Sequence, residues 1–327
     1  EGREIALELL DQADVFVTNV RVDALKRAGL DYDTVSARNP RLVYGQITGY
    51  GLEGPDANRP GYDIAAFWAR SGIAHMLTPE GGALPFQRGG MGDHTTGVTF
   101  AGVISAALYQ RERSGLGQMV SSSLLRQGVY TIGFDLNMML GWGQHPMIGQ
   151  RTQMMNPSVN NYQTGDGKWF WVVGPEGERH WPPLARVAGH PEWIDDPRFV
   201  TPLQRAINHK ELIALLDEAF SGKSLDEWAD IFATEPDMFW SPVNSAEEVL
   251  ADPQLQHAGG LIEVPDEYGT TTMIASPADF HGTPGEPRWI APKLGEHTAE
   301  VLRELGRSDE VIEALFANSI AAPFVEE

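Results

Sequence analysis

The sequence predicts an α/β fold built on a parallel sheet, joined to a second module in its later half. Three observations carry this. Over residues 1–50, amphipathic helices alternate with short apolar strands, the rhythm of parallel strands linked by right-handed crossovers. Residues 94–113 hold the strongest helical pattern of the chain, and near 145–168 the composition shifts to turn residues and an aromatic strand. At 327 residues there is room for one large domain or two medium ones.

Residues 3–12 read as an amphipathic helix and "DVFVTNV" (14–20) as a buried strand. A strand arriving straight after a helix looks like the middle of an α/β fold, so a segment ahead of Glu1 is expected. "VDALKRAGL" (22–30) is helical with a glycine near its end, and "RLVYGQITGY" (41–50) is a second strand. Residues 49–63 form a loop dense in Gly and Pro, 64–76 a helix, and 77–92 another Gly/Pro-rich loop. In 94–113, Phe100, Ile104, Ala107 and Leu108 recur at helical spacing, and Arg111 and Arg113 occupy the last turn before Ser114-Gly115, where cations suit the dipole. A further helix is predicted over 121–140, its triple serine reading as a cap. "NPSVNNYQTGDGKWFWVVG" then reads as a hairpin turning on Asp-Gly. Helices follow within 178–189, 207–222 and 224–235, two strands lie within 261–277, and residues 292–318 form two helices around Gly306.

Composition narrows the function. Hydrophobic residues make up 42% and charged residues 21%, the balance of an ordinary globular protein. No stretch reaches the roughly 18–20 uninterrupted apolar residues of a membrane span. With a net charge of −21 and basic residues at most in pairs, a nucleic-acid partner is excluded on electrostatic grounds. An anionic small molecule is not, since a few cations or a helix N-terminus suffice for one. Zero cysteines exclude disulfides, thiolate metal sites and cysteine nucleophiles, and a cytoplasmic location is expected. The nine histidines show no HExxH or carboxylate–His spacing, so no metal is expected. "GYGLEG" (49–54) matches GxGxxG after a strand but runs into Pro55 and more loop, where a dinucleotide fingerprint would open a helix.

The segment that stands out is "GGMGDHTTGVTF" (89–100), in which glycines lead into one carboxylate at a helix start. Asp93 has two compatible readings. It is a good N-cap residue, and it is a carboxylate placed where glycines let another molecule approach closely, able to act as a nucleophile and form a mixed anhydride. The neighbouring His94 is the histidine to watch. Aromatic and Met runs such as "FWAR", "KWFWVV" and "NMML" read as core, with the lining of an apolar acyl pocket as the second reading.

Taken together, "NPRLVYGQITGYGLEGP", "RPGYDIAAFWARSGI", "GGMGDHTTGVTFAGVISAALYQRERSGLGQMVSSSLL", "DPQLQHAGGLIEV" and "APKLGEHTAEVLRELG" resemble the family III CoA-transferases, in order and over nearly the whole chain. "GYDIAAFWARSGI" resembles the branch acting on 2-hydroxyacyl and aryl-lactyl acids. The resemblance implies a Rossmann-like large domain plus a smaller α+β domain, in an interlocked homodimer. It places the large domain at 1–150, the small domain at 151–275 and a segment returning to the large domain at 276–327. It implies coenzyme A as a substrate, in the form of acyl-CoA, with a free carboxylic acid as the second substrate and no metal. Family members carry roughly 70 further residues ahead of the point where this sequence begins.

The resemblance also implies roles. Asp93 is the catalytic aspartate, which attacks the donor thioester and passes through an aspartyl anhydride and an aspartyl-CoA thioester; the acceptor is a 2-hydroxy or aryl acid. Gly92 and His94 flank the nucleophile. Tyr50, in "TGYG", falls in the loop near the thioester, and Arg27, in "LKRAGL", at a position of CoA phosphate contact. Asn19 falls where the family has Asn-Phe-x-Pro-Gly, here without the Pro-Gly. Amides near the helix start are expected to hold the oxyanion. Two alternatives stand beside this. The related α-methylacyl-CoA racemases carry "GHD" where this chain has "GYD", Tyr62 replacing the histidine base. An inactive subunit or scaffold is the other.

Overall fold

The computed structural model describes residues 1–144 and 150–324, so part of the composition shift expected at 145–168 lies outside the described residues. The chain divides into two compact units, residues 1–148 with 292–327, and residues 149–291.

The first unit begins with α1 (Gly2–Gln12), β1 (Val15–Thr18), α2 (Val22–Ala28), α3 (Tyr32–Arg38) and β2 (Val43–Thr48). The α3 helix was not expected. Asp31 starts it, its carboxylate accepting the Thr34 amide at 3.2 Å. Next come a π-helix (Ile64–Ala69) and α4 (Ile73–Met76). The single helix expected over 64–76 is thus broken, because Gly72 sits at φ 97° between the two pieces.

The long helix α5 (Met91–Ser114) leads through Gly115, at φ 75°, into β3 (Met119–Ser123), followed by α6 (Leu124–Thr131) and α7 (Gly133–Trp142). Here too one predicted helix resolves into several elements. Ser121 and Ser122 lie in the strand, and only Ser123 caps, accepting the Arg126 amide.

The strands form a parallel sheet in the order β1-β2-β3, with Val15 opposite Val43 and Tyr44 opposite Met119. Central β2 is buried almost throughout. The expected buried strand at 14–20 is corrected: β1 is an edge strand, and Val17 is 54% exposed. Tyr44 anchors the core on one face with Leu7, Leu10, Val35 and Leu42. Phe100 of α5 packs over Gly45, where a Cβ would stand 2.9 Å from its ring.

The direction of α5 follows from its far end. Arg111 donates to Asp14 Oδ1 at 2.8 Å, just before β1, and the Gly117 amide donates to Pro40 O at 2.8 Å, just before β2. The C-terminal end of α5 therefore lies at the amino ends of the strands. Its N-terminus lies at their carboxyl ends, the edge where open α/β sheets bind ligands.

The second unit opens on the predicted hairpin, β4 (Val159–Gln163) and β5 (Trp169–Val173), turning at Gly167 with φ 82°. It continues through α8 (Gly177–Val187), α9 (Pro202–Ile207), α10 (His209–Phe220), α11 (Leu225–Phe232) and β6 (Trp240–Pro242), which pairs with β5. Phe170 alternates with the partly exposed Trp169 and Trp171 and packs edge-on against Phe220 at 5.0 Å, at the centre of the core. The "KWFWVV" run is thus core on one face only. Short helices α12 (Ala246–Ala251) and α13 (Pro253–His257) precede an antiparallel pair, β7 (Leu261–Asp266) and β8 (Gly269–Ile274).

The chain ends on α14 (Thr298–Glu304) and α15 (Asp309–Ala317), joined through Gly306 at φ 80° and belonging to the first unit. Among the described residues no helix is long and apolar enough to cross a membrane.

Candidate active site

The carboxyl ends of all three parallel strands open on one cavity of about 480 Å³. Asn19 follows β1, Thr48 and Gly49 end β2, and Leu124 follows β3. Tyr62 and Asp63 come from the start of the π-helix, Asp93 from the first turn of α5, and Arg21 from the start of α2. Crossed glycines shape its floor: a Cβ at Gly49 would come within 2.9 Å of Gly61 Cα, so the loop can close only where neither residue carries a side chain.

Asp93 is not an N-cap. Gly90, at φ 80°, takes that position, and Asp93 sits three residues inside with its carboxylate free of the backbone. The Asp63 carboxylate substitutes for a cap: its two oxygens each lie 3.1 Å from the Gly92 nitrogen and accept its N–H. Gln87 Nε2 donates to Asp63 Oδ1 at 2.7 Å. The Gly92 amide is therefore unavailable to an oxyanion. The Asp93 amide has no hydrogen-bond partner among the described residues and is the free donor of this turn.

The glycines divide into two kinds. A Cβ on Gly92 would stand under 3.0 Å from both Asp63 Oδ1 and the Phe67 ring, so Gly92 admits the chain's own side chains, not another molecule as expected. A Cβ on Gly89 would meet nothing within 4 Å; here the space is open.

A helix N-terminus alone would favour the ionised carboxylate. The net effect on Asp93 is the reverse. Burial on its protein-facing side, then the charge of Asp63, push its carboxyl above the ordinary carboxylate range, and His94 opposes them. The residue as a whole stays exposed, and its carboxylate is more basic than that of an ordinary aspartate.

The other expected site residues are dispersed. Asn19 lines the cavity with Asp93. His94 is exposed on the same turn, its ring lying over Gly90. Tyr50 does not line the cavity: it packs against the cluster of Phe67 and Trp68, with the Arg59 and Arg70 guanidinium groups over its ring at 5.5 and 4.9 Å. Arg27 is exposed in the last turn of α2 and does not line it either. Sequence reasoning missed Arg21 and Asp63. Arg21 is the one cation lining the cavity, and its guanidinium has no carboxylate partner among the described residues. The signal for Asp63 was an aspartate opening a helix after Gly-Tyr, but the donors that reach it lie far away in sequence. Among the described residues no group of three or more His, Asp or Glu could hold a metal.

A carboxylate at a helix start, beside a cavity at the carboxyl edge of a parallel sheet, is a place where a nucleophile and a ligand can meet. The sequence matches the family model of CoA-transferase family III over residues 1–298, and the chain belongs to that family. It is 32% identical to (R)-2-hydroxy-4-methylpentanoate CoA-transferase of Clostridioides difficile, covering 95% of this chain and 78% of that protein. It is 30% identical to cinnamoyl-CoA:phenyllactate CoA-transferase of Clostridium sporogenes, covering 96% and 77%. The mixed α/β fold matches a crystal structure of a CAIB/BAIF family protein from Brucella suis with a TM-score of 0.77 at 30% identity, over 93% of this chain and 78% of that one. With transferases as its relatives, the chain is an enzyme of the CoA-transferase class, acting on acyl-CoA, and neither the racemase nor the scaffold reading is favoured.

Proposed function

We propose that the chain moves CoA from an acyl-CoA thioester to a free carboxylic acid by covalent catalysis at Asp93. The observation that carries this is the Asp93 carboxylate, with its raised proton affinity, at the start of α5 and facing a cavity that all three parallel strands feed. The Asp93 carboxylate attacks the donor thioester carbonyl and expels CoA thiolate, leaving an acyl-aspartyl anhydride. The thiolate attacks the aspartyl carbonyl, giving aspartyl-CoA thioester and releasing the first acid as its carboxylate. The acceptor carboxylate attacks that thioester, forming a new anhydride and thiolate again. Thiolate attack on the acyl carbonyl yields the new acyl-CoA and regenerates Asp93. Every bond broken is matched by one formed, and neither metal nor redox group enters the balance.

The test is intact mass after exposure to donor with no acceptor. The Asp93-containing peptide should gain the mass of CoA less one water, and Asp93→Asn should gain nothing. An adduct elsewhere, or none alongside sustained transfer, would overturn the reading.

A carboxylate acceptor entering beside Asp63 needs a counter-charge. Arg21, in the cavity wall and without a carboxylate partner among the described residues, supplies it. A lost charge-assisted hydrogen bond of about 1.5–3 kcal/mol means Arg21→Gln should raise the KM for the acid at least tenfold with the donor KM little changed. Equal rises in both would assign Arg21 to CoA instead. The apolar Ile47 and Leu124 in the wall, and relatives named for 2-hydroxy-4-methylpentanoate and phenyllactate, support a 2-hydroxy acid with a branched or aryl side chain as acceptor.

We also propose a homodimer. The ten-residue helix α7 buries none of its side chains, and Phe134, Leu140 and Trp142, spread around it, are 78%, 85% and 71% exposed, apolar surface that calls for a partner. Sedimentation at micromolar concentration should give twice the mass of the chain. A monomer there would overturn it.

A further inference from the structure

Asp63 takes part in none of the steps above, yet it is the side chain most closely tied to the turn that carries Asp93. It holds the Gly92 amide with both oxygens at 3.1 Å and is itself held by Gln87 at 2.7 Å. Gln87 is 8% exposed, and its Oε1 has no hydrogen-bond partner among the described residues. Its amide is thus oriented to serve Asp63 at the expense of its own acceptor, and a buried unpaired acceptor calls for a reason. The fit tolerates only glycine at position 92, since a Cβ there would strike Asp63 and Phe67.

As plain architecture this is a poor choice. It sets a second negative charge beside Asp93. No ion pair reaches Asp63 among the described residues, and of the causes acting on Asp93 only His94 opposes the like charge. A local rule broken at a fixed place marks function more often than accident.

We propose that Asp63 is a positioning residue for the CoA transfer set out above, on whose reading this rests: clamped by Gln87, its carboxylate holds the Gly92 amide and so fixes where Asp93 stands. Its charge also acts on Asp93, being the second cause, after burial, of that group's raised proton affinity. The other charged or titratable groups around Asp93 are His94 on the same helix and, across the cavity, Arg21 and Tyr62.

The test uses Asp63→Asn, Gln87→Glu and the double variant in the full chain, with kcat, donor KM and pH profile as readouts. Asp63→Asn should lower kcat about tenfold or more, because a displaced nucleophile loses alignment, with donor KM within about twofold. Its acid limb should also move to lower pH, a shift no purely structural role produces. Gln87→Glu should fall comparably, since it faces one carboxylate with another. The double variant should recover most of kcat. It exchanges the two groups: the new amide at position 63 would donate to the new carboxylate at position 87, while the carbonyl of that amide accepts the Gly92 N–H. Wild-type kcat and acid limb in Asp63→Asn, or no recovery in the double variant, would overturn the inference. Asp93→Ala separates this from failure of the underlying reading: if it is inactive while Asp63→Asn is intact, only the role of Asp63 falls. If Asp93→Ala is active, the covalent mechanism itself falls.

Discussion

Asp93→Ala should leave no measurable CoA transfer, a loss of roughly 10⁴-fold or more in kcat, as expected when a covalent nucleophile is removed. Asp93→Asn should match it, because an amide of the same shape cannot attack a thioester. In the unmodified protein the carboxyl is held above the ordinary range by burial and by Asp63. Transfer should therefore fail on acidification at a higher pH than an ordinary aspartate would impose, since the ionised form is the nucleophile. The same shift has a consequence for stability. A raised carboxyl in the folded state binds its proton more tightly than in the unfolded chain, so ionisation destabilises the fold. That cost is present above the folded value and absent below the unfolded one. Asp93→Asn should thus melt slightly higher than the unmodified protein at about pH 7, with the difference vanishing toward about pH 3, below the ordinary aspartate value. A variant that is inactive and slightly more stable is the signature of a site that trades stability for chemistry. Activity retained at a tenth of the original or more would remove Asp93 from the mechanism.

What was legible in the sequence was whatever rests on local pattern. The helix of 91–114, the central strand at 43–48, the Asp-Gly hairpin and the two closing helices all follow from periodicity, caps and turn residues. The errors have a common cause. The strand β3 was read as the beginning of a helix because "MVSSS" has neither alternation nor β-branched bulk beyond Val120; it is a strand because its backbone pairs with β2, a tertiary fact. The break at Gly72 was hidden because the apolar pattern of Phe67 and Trp68 resumes at Ile73, beyond Arg70-Ser71. At the site, the carboxylate itself was legible, because glycines and a helix start lie within one short segment. Its surroundings were not. Asp63 reaches Gly92 across 29 positions and Gln87 across 24, and nothing in the one-dimensional pattern marks residues that far apart as partners. Arg21 reads in sequence as an ordinary surface arginine, and only the packing of β1 against β2 brings it to the cavity that Asp93 faces.

Gly92→Ala should reduce transfer about a hundredfold, the cost of moving reacting groups by the order of 1 Å, and lower stability by about 1–3 kcal/mol, the range for forcing a methyl into a packed site. The new Cβ would stand under 3.0 Å from Asp63 Oδ1 and from Phe67. Phe67 is buried at 2% exposure in the cluster beside α6, and Asp63 is tied to Gln87, so neither can yield cheaply. The helix start must give way instead, carrying Asp93 with it. Gly89→Ala is the control that separates the two uses of glycine in this turn. A Cβ there would meet nothing within 4 Å, and its backbone is outside the left-handed region, so stability should hold. Any rise in donor KM would then measure how closely the thioester approaches. If both variants lost activity without losing stability, the glycines would serve the substrate alike. If only Gly92→Ala fails, and melts lower, then the glycine before the nucleophile serves to admit Asp63, and the position of Asp93 is set by the packing behind it.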